Sequence, residues 1–233
     1  MSLVADELSL PVSESIGNVP ALLAAPRDAW AVYVLAHGAG AGMRHPFLEE
    51  VASSLGDAGV TTLRYQFPYM GKRRGRPDPP AVLERTVRAA VEYARAHTGA
   101  LPVFAGGKSM GGRMTSQAAA AEPLPAVLGI AFLGFPLHAP GKPSSARAAH
   151  LAKVALPMLF VQGTRDDLAE IGRMRAATAE LGARATLHVV EDGDHSFRVL
   201  KRSGRSAPDV MKEIRDALVA WMRPLASSRD GRN

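Results

Sequence analysis

Gly106-Gly107-Lys108-Ser109-Met110-Gly111-Gly112 follows the apolar run Leu101-Pro102-Val103-Phe104-Ala105 and opens a stretch of helical composition from Met110 to Ala121. It holds Gly-x-Ser-x-Gly at Gly107, Ser109 and Gly111. A strand that turns sharply into a helix forces its central residue into a strained backbone conformation. Positions two away are pressed against neighbouring chain, where side chains would clash. Such a turn lifts the Ser109 hydroxyl clear of a sheet. It also sets the Met110 N–H at a helix N-terminus, where partial positive charge favours an anion. An ordinary glycine-rich strand-to-helix turn is the plainer reading of the same residues. A phosphate-binding loop is a third, but Gly-x-x-x-x-Gly-Lys-Ser/Thr requires glycine at position 102, which is Pro102.

Outward from this turn, strands and helices alternate. Upstream lie the strand Ala31–Leu35, a helix over Pro46–Ala58 with Phe47, Val51 and Leu55 on one stripe, the strand Val60–Tyr65, and a helix over Ala81–His97. Downstream lie strands Val127–Leu133 and Met158–Val161, a helix over Ala169–Leu181, the strand Ala185–Val190 and a final helix over Pro208–Met222. Leu8–Val12 and Val19–Ala24 read as two short strands, an antiparallel start. Continuous apolar strands separated by helices predict an α/β fold, a twisted and mostly parallel sheet of about eight strands covered on both faces. One domain over residues 1–225 is expected, with 226–233 a disordered tail. In such a sheet, ligands bind beyond the carboxyl ends of the strands.

The chain has 233 residues, 47 % hydrophobic and 21 % charged, which suits one domain with a substantial core. It has no cysteine, so disulfides, thiolate metal sites and a cysteine nucleophile are excluded. The N-terminus lacks the basic-then-apolar pattern of a secretory signal, and the run Ala126–Leu137 is too short to cross a bilayer, so a cytoplasmic protein without membrane contact is expected. Net charge is +6, partly from Lys72-Arg73-Arg74 with Arg76. That cluster reads as a solvated loop. It lacks interleaved aromatics for stacking bases, so nucleic acid is not an expected partner.

A serine hydroxyl is a weak nucleophile until a base takes its proton and a third group orients that base. No Asp or Glu occurs between Pro123 and Arg165; the next acids are Asp166 and Asp167, just past the strand ending near Val161. Either can orient a base, and either can cap the following helix. Asp166 is assigned to the first role and Asp167 to the cap. The expected base is His195, in Asp192-Gly193-Asp194-His195-Ser196, one helix and one strand further on. His188 lies inside a strand, and His138 and His150 precede the acid. The loop His37-Gly38-Ala39-Gly40-Ala41-Gly42 follows the first long strand. Its small residues let backbone N–H groups face a cavity and complete an oxyanion hole with the Met110 N–H. The Ala39 N–H is favoured, with Gly40 as the alternative, and His37 is read as bonding within the loop.

These motifs together resemble the α/β-hydrolase superfamily over nearly the whole chain, in particular its small dienelactone-hydrolase-like and KANL3/Tex30-like branch. The likeness rests on His37-Gly38-Ala39-Gly40, Arg64-Tyr65-Gln66-Phe67-Pro68-Tyr69, Gly107-Lys108-Ser109-Met110-Gly111-Gly112, Gln162-Gly163-Thr164-Arg165-Asp166 and Asp194-His195-Ser196-Phe197. It implies Ser109, Asp166 and His195 as a catalytic triad on a single domain with little lid. Dienelactone hydrolases use a cysteine where this chain has Ser109. The expected activity is that of a serine hydrolase acting on a small or medium ester or thioester, without metal or cofactor. A peptidase and a catalytically silent scaffold are the alternatives. Oligomeric state is left open.

Overall fold

The computed structural model describes residues 4–71 and 76–230. Among them is one eight-stranded sheet in the order β1-β2-β4-β3-β5-β6-β7-β8. The strands are β1 (Asp6–Ser13), β2 (Gly17–Ala24), β3 (Ala31–Ala36), β4 (Val60–Tyr65), β5 (Val103–Lys108), β6 (Val127–Leu133), β7 (Met158–Gly163) and β8 (Ala185–Val190). β1 and β2 pair antiparallel, β2 joins β4 antiparallel, and all later pairings are parallel. This is the mostly parallel sheet expected of the α/β-hydrolase resemblance.

The helices are α1 (Pro46–Gly56), α2 (Pro80–His97), α3 (Met110–Ala121), α4 (Ile171–Glu180) and α5 (Ala207–Asp230). Burial on both faces explains the apolar strands. In β3, Val32, Val34 and Ala36 join the core under α2 and α3, while Ala31, Tyr33 and Leu35 join the core under α1 and α5. α1 starts where Pro46 supplies a pre-set φ and the His45 ring accepts the Phe47 N–H at 3.3 Å.

Two boundaries differ from the sequence reading. β5 runs on to Lys108 rather than stopping at Ala105, because Gly106 and Gly107 extend it between close neighbours. A Cβ at Gly106 would sit 1.9 Å from the Ala131 carbonyl oxygen. α5 does not end at Met222 with a tail from 226. It continues to Asp230 through Pro224, because Leu218, Met222 and Ala226 carry one buried stripe onward. Of the basic run, Lys72, Arg73 and Arg74 lie outside the described residues, and Arg76 is exposed. No helix among the described residues is long and apolar enough to cross a membrane.

Register places the functional loops. Ala36 pairs with Gly107, Lys108 with Leu133 and Gly163 with Val190. The carboxyl ends of β3, β5, β6, β7 and β8 therefore form one edge, over which five loops meet.

Candidate active site

Ser109 sits between β5 and α3 with φ at 51°, a conformation costly to a residue with a side chain. The turn is held by the Ser109 N–H on the Leu133 carbonyl at 3.1 Å and the Arg113 N–H on the Ser109 carbonyl at 3.1 Å. The flanking glycines are steric requirements. A Cβ on Gly107 would lie 2.2 Å from the Ala36 oxygen, and one on Gly111 would lie 2.5 Å from the His37 oxygen.

Asp166 lies in the loop after β7, its side chain fully enclosed. Its Oδ2 accepts the Gln162 Nε2 at 2.5 Å and faces His195 Nδ1 at 2.7 Å; its Oδ1 accepts the Leu168 N–H at 2.8 Å. The loop is braced against the one bearing His195, since the Arg165 N–H donates to the Gly193 carbonyl at 2.8 Å. The cap role assigned to Asp167 is corrected by this geometry. Asp167 is exposed, α4 begins only at Ile171 with no side-chain cap, and Asp166 itself takes the Leu168 N–H.

The loop after β8 is tied by Asp194, whose Oδ1 accepts the Ser196 and Arg198 N–H groups at 2.8 and 2.9 Å. Phe197 anchors it by stacking on Phe47, ring centroids 5.6 Å apart. His195 Nε2 then stands 2.9 Å from Ser109 Oγ. The carboxylate can only accept, so Nδ1 carries the proton and Nε2 is left to accept the serine hydroxyl. The structure thus brings the predicted serine, histidine and first aspartate into one hydrogen-bonded line. His188 instead faces Glu213 at 2.9 Å, and His150 faces Ser116 at 2.8 Å.

Lys108 is a site residue that the sequence reading passed over. Its Nζ crosses to the His195 carbonyl at 2.6 Å, tying the end of β5 to the backbone of His195. Burial pushes its pKa down to about 8 from 10.5, against the opposing pull of Asp166 and Asp194. Its place between Gly107 and Ser109 was the available signal, but only the fold shows where the side chain goes.

The loop after β3 is pinned from beneath. His37, fully buried, donates from Nδ1 to the Gly38 carbonyl at 2.8 Å and accepts the Phe67 N–H on Nε2 at 3.0 Å. Burial holds its pKa down near 4, so the ring is neutral at pH 7. The Gly40 N–H, the alternative oxyanion donor, is committed to the Tyr69 hydroxyl at 3.2 Å. The Ala39 and Met110 N–H groups have no hydrogen-bond partner among the described residues. A cleft of about 340 Å³ lies here, lined by Ala39, Phe47, Lys108, Ser109 and His195 among others. A larger hollow of about 900 Å³ lies beside it rather than over the serine, sharing Ala41 and His45. Among the described residues no group of three or more His, Asp or Glu is placed to hold a metal ion.

Residues 29–223 match the profile of the alpha/beta hydrolase domain family. The chain belongs to the α/β-hydrolase family. Solved α/β-hydrolase structures resemble it along almost its full length. Dienelactone hydrolase from Anabaena variabilis is 22 % identical with a TM-score of 0.75, covering 94 % of this chain and 97 % of that one. An α/β serine hydrolase without a lid from Xanthomonas campestris is 20 % identical, TM-score 0.71, covering 95 % and 96 %. An esterase domain from Rhodothermus marinus is 16 % identical, TM-score 0.71, covering 94 % and 98 %. At these identities the likeness speaks to the fold.

Proposed function

We propose that this α/β-hydrolase cleaves an ester or thioester of a small to medium substrate through an acyl-enzyme on Ser109. The observation that carries the reading is the continuous line from Asp166 Oδ2 to His195 Nδ1, 2.7 Å, and from His195 Nε2 to Ser109 Oγ, 2.9 Å. Ser109 Oγ attacks the carbonyl carbon as its proton passes to His195 Nε2. Asp166 fixes the tautomer and stabilises the imidazolium that forms. The negative charge that develops on the carbonyl oxygen falls to the Met110 and Ala39 N–H groups, each worth roughly 2.7–4 kcal/mol of barrier in comparable sites. Collapse breaks the bond to the alcohol or thiol, which leaves with the proton from His195. Water then attacks the acyl-enzyme, with His195 again as base, and releases the carboxylic acid and free Ser109.

The segment after β6 supports a modest substrate. From Gly134 to Pro157 it is loop with a single 3-10 turn at Ala146–Lys153, too little to roof a long acyl chain. A fluorophosphonate probe tests the reading. It is expected to label the wild type and not Ser109→Ala, and p-nitrophenyl esters and acyl thioesters of graded size then define the acyl group. Folded wild type that takes no label and turns over no ester would favour the silent scaffold instead. Amide cleavage matching ester cleavage would favour a peptidase.

A further inference from the structure

One turn beyond Ser109, α3 presents a second group of polar side chains. Ser116 Oγ donates to the Arg113 carbonyl at 3.0 Å and meets His150 Nε2 at 2.8 Å, which seats this face of α3 against the 3-10 turn Ala146–Lys153. Three residues before His150, Arg147 donates from Nη1 to the His138 carbonyl at 2.8 Å. His138 is 4 % exposed, and its Nδ1 donates to the Ala139 carbonyl at 2.9 Å. Three enclosed polar atoms here, His138 Nε2, Arg113 Nε and Gln117 Oε1, have no partner among the described residues.

The charge is uncompensated as well. Among the described residues neither Arg113 nor Arg147 forms an ion pair. The chain from Pro123 to Arg165 contains no acid that could supply one. Burial, together with the charge of Arg147, holds the Arg113 pKa below its ordinary value, and burial with Arg113 lowers His150 to about 4. Two cations brought together and partly desolvated are costly unless an anion joins them. A guanidinium offers a planar fork of donors matched to carboxylate or phosphate oxygens. With Nδ1 donating to Ala139, His138 Nε2 is left to accept from a ligand hydroxyl, and the Gln117 amide can turn either end inward.

We infer that Arg113 and Arg147, with His138 beside them, form a binding site for a ligand oxyanion between α3 and the segment after β6. The oxyanion is the carboxylate or phosphate group of a small molecule. The site lies one helical turn from the serine but stands on its own, whatever chemistry Ser109 performs.

Thermal unfolding and titration calorimetry of the full chain test it, with sodium phosphate in one arm, sodium succinate in another and sodium chloride of equal ionic strength as reference. A saturable heat is expected in at least one anion arm. At tenfold excess over Kd, Tm is expected to rise by roughly 3–6 °C. Response to phosphate alone assigns a phosphate ligand, and to succinate alone a carboxylate; response to both assigns the shared oxyanion chemistry. The Arg113→Met/Arg147→Met double variant is expected to lose the response, its Tm in chloride reporting that it folds. Arg113→Lys, which keeps the charge and loses the fork, is expected to bind about tenfold more weakly. No saturable response in either arm, an equal response in the double variant, or unweakened binding by Arg113→Lys overturns the assignment.

Discussion

Replacing Lys108 by methionine separates the positioning of His195 from the stability of the fold. In the native protein the ammonium bonds the His195 carbonyl at 2.6 Å. A hydrogen bond from a charged donor contributes about 1.5–3 kcal/mol. Against this, burial lowers the Lys108 pKa from 10.5 to about 8. The ammonium still prevails at pH 7, but its charge is roughly 3 kcal/mol less favourable here than in water, less whatever water returns at the partly exposed stem. The two effects have similar size and opposite sign. Methionine keeps an unbranched stem, so Lys108→Met is expected to move Tm by no more than about 6 °C in either direction. Catalysis has no such cancellation. Without the tether the imidazole ring is free to drift from its 2.9 Å contact with Ser109 Oγ. Misplacement of reacting groups by about 1 Å costs about a hundredfold, so kcat is expected to fall about 10- to 100-fold. KM should stay within about twofold, because the tether touches His195 and not the proposed acyl site. Steady-state hydrolysis of p-nitrophenyl acetate, measured beside thermal unfolding on the same preparations, reads both effects. An unchanged kcat would refute the positioning argument, and so would a loss of activity that merely tracks a Tm drop beyond about 10 °C.

Other perturbations probe the remaining parts of the site. Asp166→Asn is expected to lower kcat by about 10⁴-fold by leaving His195 in the wrong tautomer. Because an Asn oxygen can still accept the Leu168 N–H, its Tm should fall less than that of Asp166→Ala, as thermal unfolding would show. Gly111→Ala puts a Cβ 2.5 Å from the His37 oxygen, so the turn must open, with activity and Tm both expected to drop. Gly172→Ala, in α4 with nothing within 4 Å, is the contrasting case and should gain about 0.5–1 kcal/mol in denaturant unfolding. His37, held near pKa 4 by burial, titrates in the unfolded chain near 6.5. As pH falls through that window the unfolded state binds the proton first. Its share of stability is therefore full above about 6.5 and is lost towards 4, with a slope of up to about 1.4 kcal/mol per pH unit. His37→Gln should lower the slope of the pH dependence of unfolding in this window, leaving the part due to His150, also held near 4.

Much of this architecture could be read from the chain because it follows from local rules. Gly107 and Gly111 announce a turn where an added Cβ would lie under 3 Å from neighbouring backbone, and the acid-free stretch from Pro123 to Arg165 left few candidates for an orienting acid. The continuation of α5 past Pro224 was hidden because proline is a common stop signal. The buried stripe through Ala226 outweighs it only where α5 meets the sheet. The end of β5 was misplaced for a related reason. Glycine is a poor strand former, yet here it alone fits against β3 and β6.

What the sequence determined by itself was the order of elements, the parallel sheet and the residue types waiting at each strand end, since hydrophobic period and backbone sterics act over a few neighbouring residues. The tertiary structure decided the pairings. It turned Asp166 rather than Asp167 inward, engaged the Gly40 N–H with Tyr69 while leaving that of Ala39 open, and sent Lys108 across to the His195 carbonyl. Each of these depends on chain segments brought together only when the sheet edge assembles. Hydrogen bonding at that edge is a matter of distances between remote residues, which no local pattern encodes.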